Sequence, residues 1–134
     1  MEASDTPVVL MADDDDDDCI LARDAFKQSG SRGIFRFVED GIKLLDYLST
    51  SHHLPALLLL DLNMPQKDGR QTLREIKAIP RFQNIPVVVF TTSREEKDRV
   101  FCHRMGANSF ITKPTLFEDW VRIMRSLADK WLTC

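Results

Sequence analysis

Short apolar runs alternate with longer amphipathic segments along this chain. Three of the runs, at 8–12, 56–61 and 85–91, are apolar almost throughout. Such runs are typical of strands buried on both faces of a parallel sheet. Two further strands are predicted at 34–38, where apolar and polar residues alternate, and at 108–112.

The segments between these runs carry apolar residues at helical spacing. Helices are predicted at 20–29, 41–48, 70–79 and 94–105, with a last helix from near residue 116. Gly30, Pro80 and Gly106 are the predicted stops. The first helix should bury Leu21, Ala22, Ala25 and Phe26. The last helix has the strongest amphipathic pattern, with apolar residues at Leu116, Trp120, Ile123, Met124, Leu127 and Trp131.

Five alternations of strand and helix predict an α/β fold. We expect one domain over 1–134, a doubly wound five-stranded parallel sheet with helices on both faces. In such sheets the ligand site lies beyond the carboxyl ends of the strands. The chemically active residues at those ends are Asp13, Asp14, Asp61, Thr91 and Lys113.

Convergence of these carboxylates would require a cation. Two carboxylates ~4 Å apart repel by roughly 4 kcal/mol at an effective dielectric near 20. A divalent hard cation relieves this repulsion, and carboxylates with retained waters suit Mg²⁺. Bound Mg²⁺ can position a phosphoryl group against a carboxylate nucleophile. Lys113 and Thr91 would then contact the phosphoryl oxygens, which favours phosphoryl transfer as the chemistry.

The six consecutive aspartates at 13–18 have two possible interpretations. A solvated acidic loop would explain the run without any ligand. Its position at a strand end favours cation binding for Asp13 and Asp14. Three of the other acids, Asp16 to Asp18, are predicted to lie in the first turn of a helix and to point to water.

Charge is distributed unevenly along the 134 residues. The net charge is −3, yet residues 1–61 carry five Lys or Arg against 13 Asp or Glu. The basic residues neither cluster nor alternate with aromatics, so no nucleic-acid surface is predicted. No apolar run is long enough to span a membrane, and the N-terminus does not resemble a secretory signal. Three scattered cysteines, Cys19, Cys102 and Cys134, are expected to be free thiols in the cytoplasm.

Four motifs in order resemble the receiver domains of two-component response regulators. They are "ADDD" (12–15), "LLLLDLNMPQKDG" (57–69), "VVVFTTS" (87–93) and "FITKP" (110–114). The resemblance covers about residues 7–130 and implies the flavodoxin-like (βα)5 receiver fold. The "ADDDDDD" opening and the "LADKWL" end most resemble small stand-alone regulators of the phytochrome-associated type.

The resemblance also implies roles for individual residues. Asp61 would be the phosphoacceptor, Lys113 a phosphoryl contact, and Thr91 with Phe110 the switch pair. The expected Mg²⁺ ligands are Asp13, Asp14, Asp61 and the backbone carbonyl of Asn63. The Lys113–Pro114 bond would be cis. Phe110 stands where tyrosine is common, and so lacks a hydroxyl contact.

The implied function is a phosphorylation-activated switch that catalyses only its own phosphoryl acceptance and autodephosphorylation. The implied phosphoryl donor is either a sensor histidine kinase, for example a bacterial phytochrome, or a phosphotransfer protein. No output domain follows Trp131, so signalling by contact is expected, with a homodimer through the last strand–helix face. Two alternatives remain open: a phosphatase of the haloacid-dehalogenase kind, whose members carry a second acid where this chain has Asn63, and a phosphate-independent scaffold.

Overall fold

A computed structural model describes residues 6–132, and its elements alternate between strand and helix. The strands are β1 (Val8–Ala12), β2 (Ile34–Val38), β3 (Leu57–Leu60), β4 (Val87–Thr91) and β5 (Ser109–Thr112). The helices are α1 (Asp16–Gln28), α2 (Gly41–Thr50), α3 (Gly69–Ala78), α4 (Glu96–Arg104) and α5 (Phe117–Trp131). This order confirms the predicted alternation. Residues 1–5 and 133–134, including Cys134, lie outside the described residues.

All five strands form one parallel sheet in the order β2-β1-β3-β4-β5. The chain runs outward from β1 to β2 and then crosses back to β3, so the order reverses between β1 and β3. This is the doubly wound arrangement predicted from the sequence, and its switch point is where a ligand crevice is expected. Ala12 pairs with Leu60, so the residues that follow them, Asp13 and Asp61, lie side by side.

The apolar core lies in two layers, one on each face of the sheet. Helices α1 and α5 cover one face, and α2, α3 and α4 cover the other. Successive residues of β1 point to opposite layers, Val9 and Met11 to the first, Leu10 and Ala12 to the second. Strands β3 and β4 are buried throughout, which explains their continuous apolar sequence.

Two predicted core residues are exposed instead. Leu21 is 36% exposed because α1 begins at Asp16, and the buried stripe of the helix runs through Cys19, Ala22 and Phe26. Leu116 is 55% exposed because it occupies the N-cap position, one residue before α5 begins. The interior of the last helix follows the prediction, with Trp120, Met124 and Leu127 buried.

The Lys113–Pro114 peptide bond is trans, so the expectation of a cis bond was wrong. For an isolated X–Pro bond the trans form is favoured by about 0.5–1 kcal/mol. The trans backbone still delivers the Lys113 side chain to the end of the sheet, as described below.

Cys19 and Cys102 are buried free thiols, as predicted. Burial raises the pKa of Cys19 to about 12 and that of Cys102 to about 11. Both thiols are therefore protonated and unreactive at neutral pH.

Candidate functional site

Three carboxylates meet at the carboxyl ends of β1 and β3. Asp13, Asp14 and Asp61 each present an oxygen, and these oxygens lie within 4.8 Å of one another. Asp13 and Asp61 are buried, whereas Asp14 is exposed. The structure thus brings together the three predicted metal-binding carboxylates. This oxygen donor set fits a hard divalent cation, with the exposed side open to water ligands.

Lys113 follows β5 directly and extends its ammonium group into this acidic cluster. Its Nζ lies 2.6 Å from Oδ2 of Asp13, 2.7 Å from Oδ2 of Asp18 and 3.6 Å from Oδ2 of Asp61. Only the first two are hydrogen bonds. The Lys113 side chain is 5% exposed, so its charge is balanced by protein carboxylates rather than by water. It therefore lies beside Asp61 without being bonded to it.

Asp18 is a site residue that the sequence analysis placed wrongly. The expectation was that Asp16, Asp17 and Asp18 would point to water from the first turn of a helix. The first turn of α1 does hold all three, but only Asp16 and Asp17 are exposed. Asp18 turns back over the end of the sheet to Lys113, because α1 rotates so that Cys19 packs into the core.

Burial and the neighbouring charged groups shift two pKa values at this site. Burial and the nearby charge of Asp61 raise the pKa of Asp13 to about 6, although its hydrogen bond with Lys113 lowers it. Burial lowers the pKa of Lys113, but hydrogen bonds with Asp13 and Asp18 outweigh burial and raise it above its ordinary value. At neutral pH the ammonium is charged, and ionised Asp13 destabilises the metal-free fold.

This shift predicts a pH dependence of stability in the absence of metal. Asp13 binds its proton more tightly in the folded state, at a pKa of about 6, than at its ordinary value of 3.8. The resulting stabilisation is complete below pH 3.8 and is lost as the pH rises through about 6. Its size should be roughly 2–3 kcal/mol.

Urea unfolding in EDTA, followed from pH 4 to 7.5, measures this contribution. The free energy of unfolding of the Asp13→Asn variant should rise relative to wild type across that interval, because the amide cannot titrate. An Asp17→Asn variant, which changes an exposed acid of α1, should follow wild type. Parallel curves for wild type and Asp13→Asn would contradict the predicted shift.

Thr91 ends β4 and is fully buried at the same edge of the sheet. Its Oγ1 accepts a hydrogen bond from the backbone N–H of Ser93 at 3.5 Å. Asn63 is exposed two residues beyond Asp61, and its backbone N–H donates to Oδ1 of Asp61 at 3.4 Å. Both residues therefore lie at the end of the sheet that carries Asp61.

Gly69 packs directly against the backbone of Asp61. A Cβ atom built at position 69 would lie 2.1 Å from the carbonyl oxygen of Asp61. The sequence analysis gave Gly69 no structural role, because a close approach of two backbones leaves no periodic signal. A glycine here lets the start of α3 approach the strand end that carries Asp61.

A second polar network links the β4–α4 loop to α3 and α4. Arg70 donates two hydrogen bonds to Asp98, Nε to Oδ1 at 3.0 Å and Nη2 to Oδ2 at 2.8 Å. The Ser93 hydroxyl also donates to Oδ2 of Asp98, at 2.7 Å, and the Thr112 hydroxyl donates to the Ser93 carbonyl at 3.0 Å. The sequence pattern did not predict this network. It connects the segment after Thr91 to helix α4.

Phe110, the predicted partner of Thr91, is half-buried in β5. The guanidinium of Arg99 on α4 lies 4.9 Å from the centre of its ring. The ring therefore packs at the edge of the core layer under α2, α3 and α4, with a charged neighbour on α4.

Comparison with known sequences finds similarity over almost the whole chain. A sequence model of the response regulator receiver domain matches residues 9–125. A protein named as the probable methanogenesis regulatory protein FilR2 of Methanothrix harundinacea is 35% identical, over 98% of this chain and 88% of that protein. Response regulator Rcp1 of Synechocystis sp. is 32% identical, over 98% of this chain and 92% of Rcp1.

Solved structures agree with this similarity. The crystal structure of the phosphorylated cyanobacterial phytochrome response regulator RcpA superposes with a TM-score of 0.87 at 32% identity, covering 96% of this chain and 95% of that one. The Mn²⁺-bound form of Rcp1 superposes with a TM-score of 0.84 at 33% identity, covering 94% of each chain. Within residues 6–132, no helix has the length and apolar character needed to cross a bilayer.

Proposed function

Because this chain belongs to the receiver domains of two-component response regulators, which are signalling switches, we propose that Asp61 is its phosphoryl acceptor. One observation carries the proposal: Asp61 is buried beside Asp13 and Asp14 with the ammonium of Lys113 3.6 Å away. An acceptor carboxylate needs neighbours that neutralise the incoming phosphoryl oxygens, and this constellation supplies them.

We propose that Asp13, Asp14, Asp61 and the backbone carbonyl of Asn63 bind Mg²⁺. The close approach of the carboxylates and their exposed side support a small hard cation that keeps several waters. The Mn²⁺-bound form of the similar protein Rcp1 is in keeping with a divalent ion. When bound, the ion neutralises the carboxylates and polarises the phosphoryl oxygens.

The protein residues perform the remaining steps. A carboxylate oxygen of Asp61 attacks the phosphorus of a phosphohistidine on the donor protein, and the new O–P bond forms. The N–P bond of the phosphohistidine breaks, and its electron pair stays on the nitrogen. Lys113 donates to one phosphoryl oxygen, and the Thr91 hydroxyl donates to another. Attack of water on the aspartyl phosphate later releases inorganic phosphate and restores Asp61. No other substrate is turned over.

The proposed partners are a donor protein and a second copy of the chain. A histidine kinase is the proposed donor, directly or through a phosphotransfer protein, and the phytochrome description of RcpA supports a photoreceptor kinase. Exposed Leu116 and Phe117 at the start of α5 support a homodimer through the β5–α5 face. We propose that the chain is a single cytoplasmic receiver domain that signals by contact, without a nucleic-acid or membrane partner.

Incubation with acetyl phosphate and Mg²⁺ tests the acceptor function. Intact mass spectrometry should record the gain of one phosphoryl group, and none in EDTA. Size-exclusion chromatography of the same samples compares the association state of both forms. Absence of any gain in mass with Mg²⁺, in a protein shown to be folded, would contradict the proposed function.

Thr91 is proposed to couple the phosphoryl group to the α4–β5–α5 surface. When its hydroxyl turns to the phosphoryl oxygen, its hydrogen bond from Ser93 changes, and Ser93 is tied to Asp98 on α4. Phe110 then moves into the vacated space. Because a phosphorylated state shifts a two-state equilibrium only through such differential contacts, removing the hydroxyl should weaken the shift.

Thr91→Ala should therefore still accept the phosphoryl group but respond weakly. A lost hydroxyl hydrogen bond of about 1 kcal/mol reduces the coupling roughly fivefold. Hydrogen exchange over 94–112, with and without beryllium fluoride and Mg²⁺, measures the response. Thr92→Ala, at the exposed neighbouring position, is the matched control. Equal exchange changes in Thr91→Ala and wild type would refute the coupling.

A further inference from the structure

Asp18 contacts Lys113 from outside the metal cluster. Its carboxylate accepts the second hydrogen bond of the ammonium group, yet Asp18 does not share the cation-binding arrangement of Asp13, Asp14 and Asp61. It reaches Lys113 from the first turn of α1, and its side chain is 20% exposed. Lys113 thus has two hydrogen-bonded carboxylate partners, and only one of them, Asp13, is a proposed metal ligand.

A bound cation would compete with Lys113 for the carboxylate of Asp13. Both oxygens of Asp13 are engaged in this structure, Oδ1 by the backbone N–H of Asp15 at 2.9 Å and Oδ2 by Lys113 at 2.6 Å. A divalent ion that takes an oxygen of Asp13 weakens its bond to Lys113 and also repels the ammonium group. Asp18 is free of this conflict, so its bond to Lys113 can persist.

A lysine ammonium has three donors. In this structure one donor is directed to Asp13 and one to Asp18, while Oδ2 of Asp61, at 3.6 Å, lies just beyond hydrogen-bond distance. With Asp18 as a fixed partner, the other donors can be directed to phosphoryl oxygens on Asp61. Without Asp18, a nearly buried ammonium beside a divalent cation would retain no independent anion.

We propose that Asp18 is a positioning residue that keeps the ammonium group of Lys113 beside Asp61 when a divalent cation occupies Asp13. This role rests on the proposed function, because it is exerted on the phosphoryl contact that Lys113 makes there. This positioning role is separate from any contribution of Asp18 to the stability of α1. The N-cap of α1 is the Asp15 side chain, which accepts the backbone N–H of residue 18, so the Asp18 carboxylate is not needed for capping.

The test compares Asp18→Asn with Asp17→Asn. The two variants remove one negative charge from adjacent positions of the same helical turn, but Asp17 is exposed and makes no contact with Lys113 in the described structure. The rate of phosphorylation by acetyl phosphate is measured at a Mg²⁺ concentration shown by titration to saturate each variant. Asp18→Asn should be slower by about tenfold or more, the scale of a lost hydrogen bond to a charged group, and Asp17→Asn should stay within about twofold of wild type.

A second readout observes the ammonium group itself. In protein labelled with ¹⁵N-lysine, the Lys113 side-chain signal, assigned with Lys113→Gln, should remain sharp in Mg²⁺ for wild type and Asp17→Asn. In Asp18→Asn it should broaden or move to the position of exposed lysines. This readout requires no phosphorylation, so it judges the role of Asp18 even if acetyl phosphate labels nothing.

The outcomes separate the two proposals. If wild type and both variants are phosphorylated equally fast, the positioning role is wrong and the acceptor function stands. If the Lys113 signal in Mg²⁺ is unchanged by Asp18→Asn, the positioning role is wrong whether or not acetyl phosphate labels the protein. If wild type itself takes no phosphoryl group, the acceptor function fails.

Discussion

Asp61→Asn should abolish the incorporation of a phosphoryl group from acetyl phosphate. The amide has nearly the same shape as the carboxylate but is not a nucleophile at phosphorus, so the reaction loses its acceptor atom. The fold should persist, because the backbone N–H of Asp61 keeps its 3.0 Å bond to Ala12 and the close packing of Gly69 involves only the backbone. Intact mass after incubation with Mg²⁺ measures the effect.

Asp46→Asn provides the matched control for this variant. It makes the same chemical change at an exposed position of α2, and it should be labelled to the same extent as wild type. Equal labelling of Asp61→Asn and wild type would show that another residue is the acceptor, and the assignment of Asp61 would then be wrong.

Neutralising the inner acids should collapse cation binding. Asp13→Asn with Asp14→Asn removes two of the three carboxylates that converge within 4.8 Å. Calorimetric titration with Mg²⁺ should show a loss of affinity of at least about 100-fold, since even changes outside the ligand set commonly cost 10–100-fold. Phosphorylation should fall in parallel.

Asp16→Asn with Asp17→Asn is the control, because it changes the net charge equally at exposed positions of α1. It should alter the Mg²⁺ affinity only a few-fold, since exposed charges are screened by salt. Asp18 is left intact in this control because it contacts Lys113. If the Asp16/Asp17 variant lowered the Mg²⁺ affinity as much as the Asp13/Asp14 variant, the placement of the cation beside β1 would be wrong.

The inner double variant should also behave differently without metal. Burial and the charge of Asp61 both disfavour the ionised form of Asp13. Replacing this carboxylate by an amide should therefore raise the melting temperature in EDTA. The amide oxygen at position 13 can still accept the hydrogen bond from Lys113, and Asp18 keeps the ammonium paired. A lower melting temperature in EDTA would mean that the Lys113–Asp13 bond outweighs both opposing effects.

The fold and the centre of the site could be predicted because their physical causes are local in sequence. A strand buried on both faces must be a continuous apolar run, as in Leu57–Leu60 and Val87–Thr91. Parallel strands bring their carboxyl ends to one edge, so the polar residues that follow each run must meet there. Asp13, Asp61 and Lys113 were found by this rule alone.

The contacts that were missed depend on packing between distant segments. Asp18 was predicted to point to water because acidic residues are favoured in the first turn of a helix without any other partner. Its direction is set instead by the rotation of α1 about its axis, which buries Cys19 and Ala22. Its partner Lys113 lies 95 positions away. The Arg70–Asp98 pair likewise joins residues 28 positions apart. No periodic pattern records such pairs, since the first depends on how α1 packs on the sheet and the second on how α3 and α4 pack on it.

Chemical mapping of the modified residue tests the central claim most directly. Protein phosphorylated with acetyl phosphate and Mg²⁺ is treated with sodium borohydride, which reduces an aspartyl phosphate to homoserine and releases the phosphate. Peptide mass spectrometry then locates the homoserine. The account predicts conversion at position 61 alone, and none in protein kept in EDTA. Conversion at Asp13, Asp14 or another carboxylate, with position 61 unchanged, would contradict it.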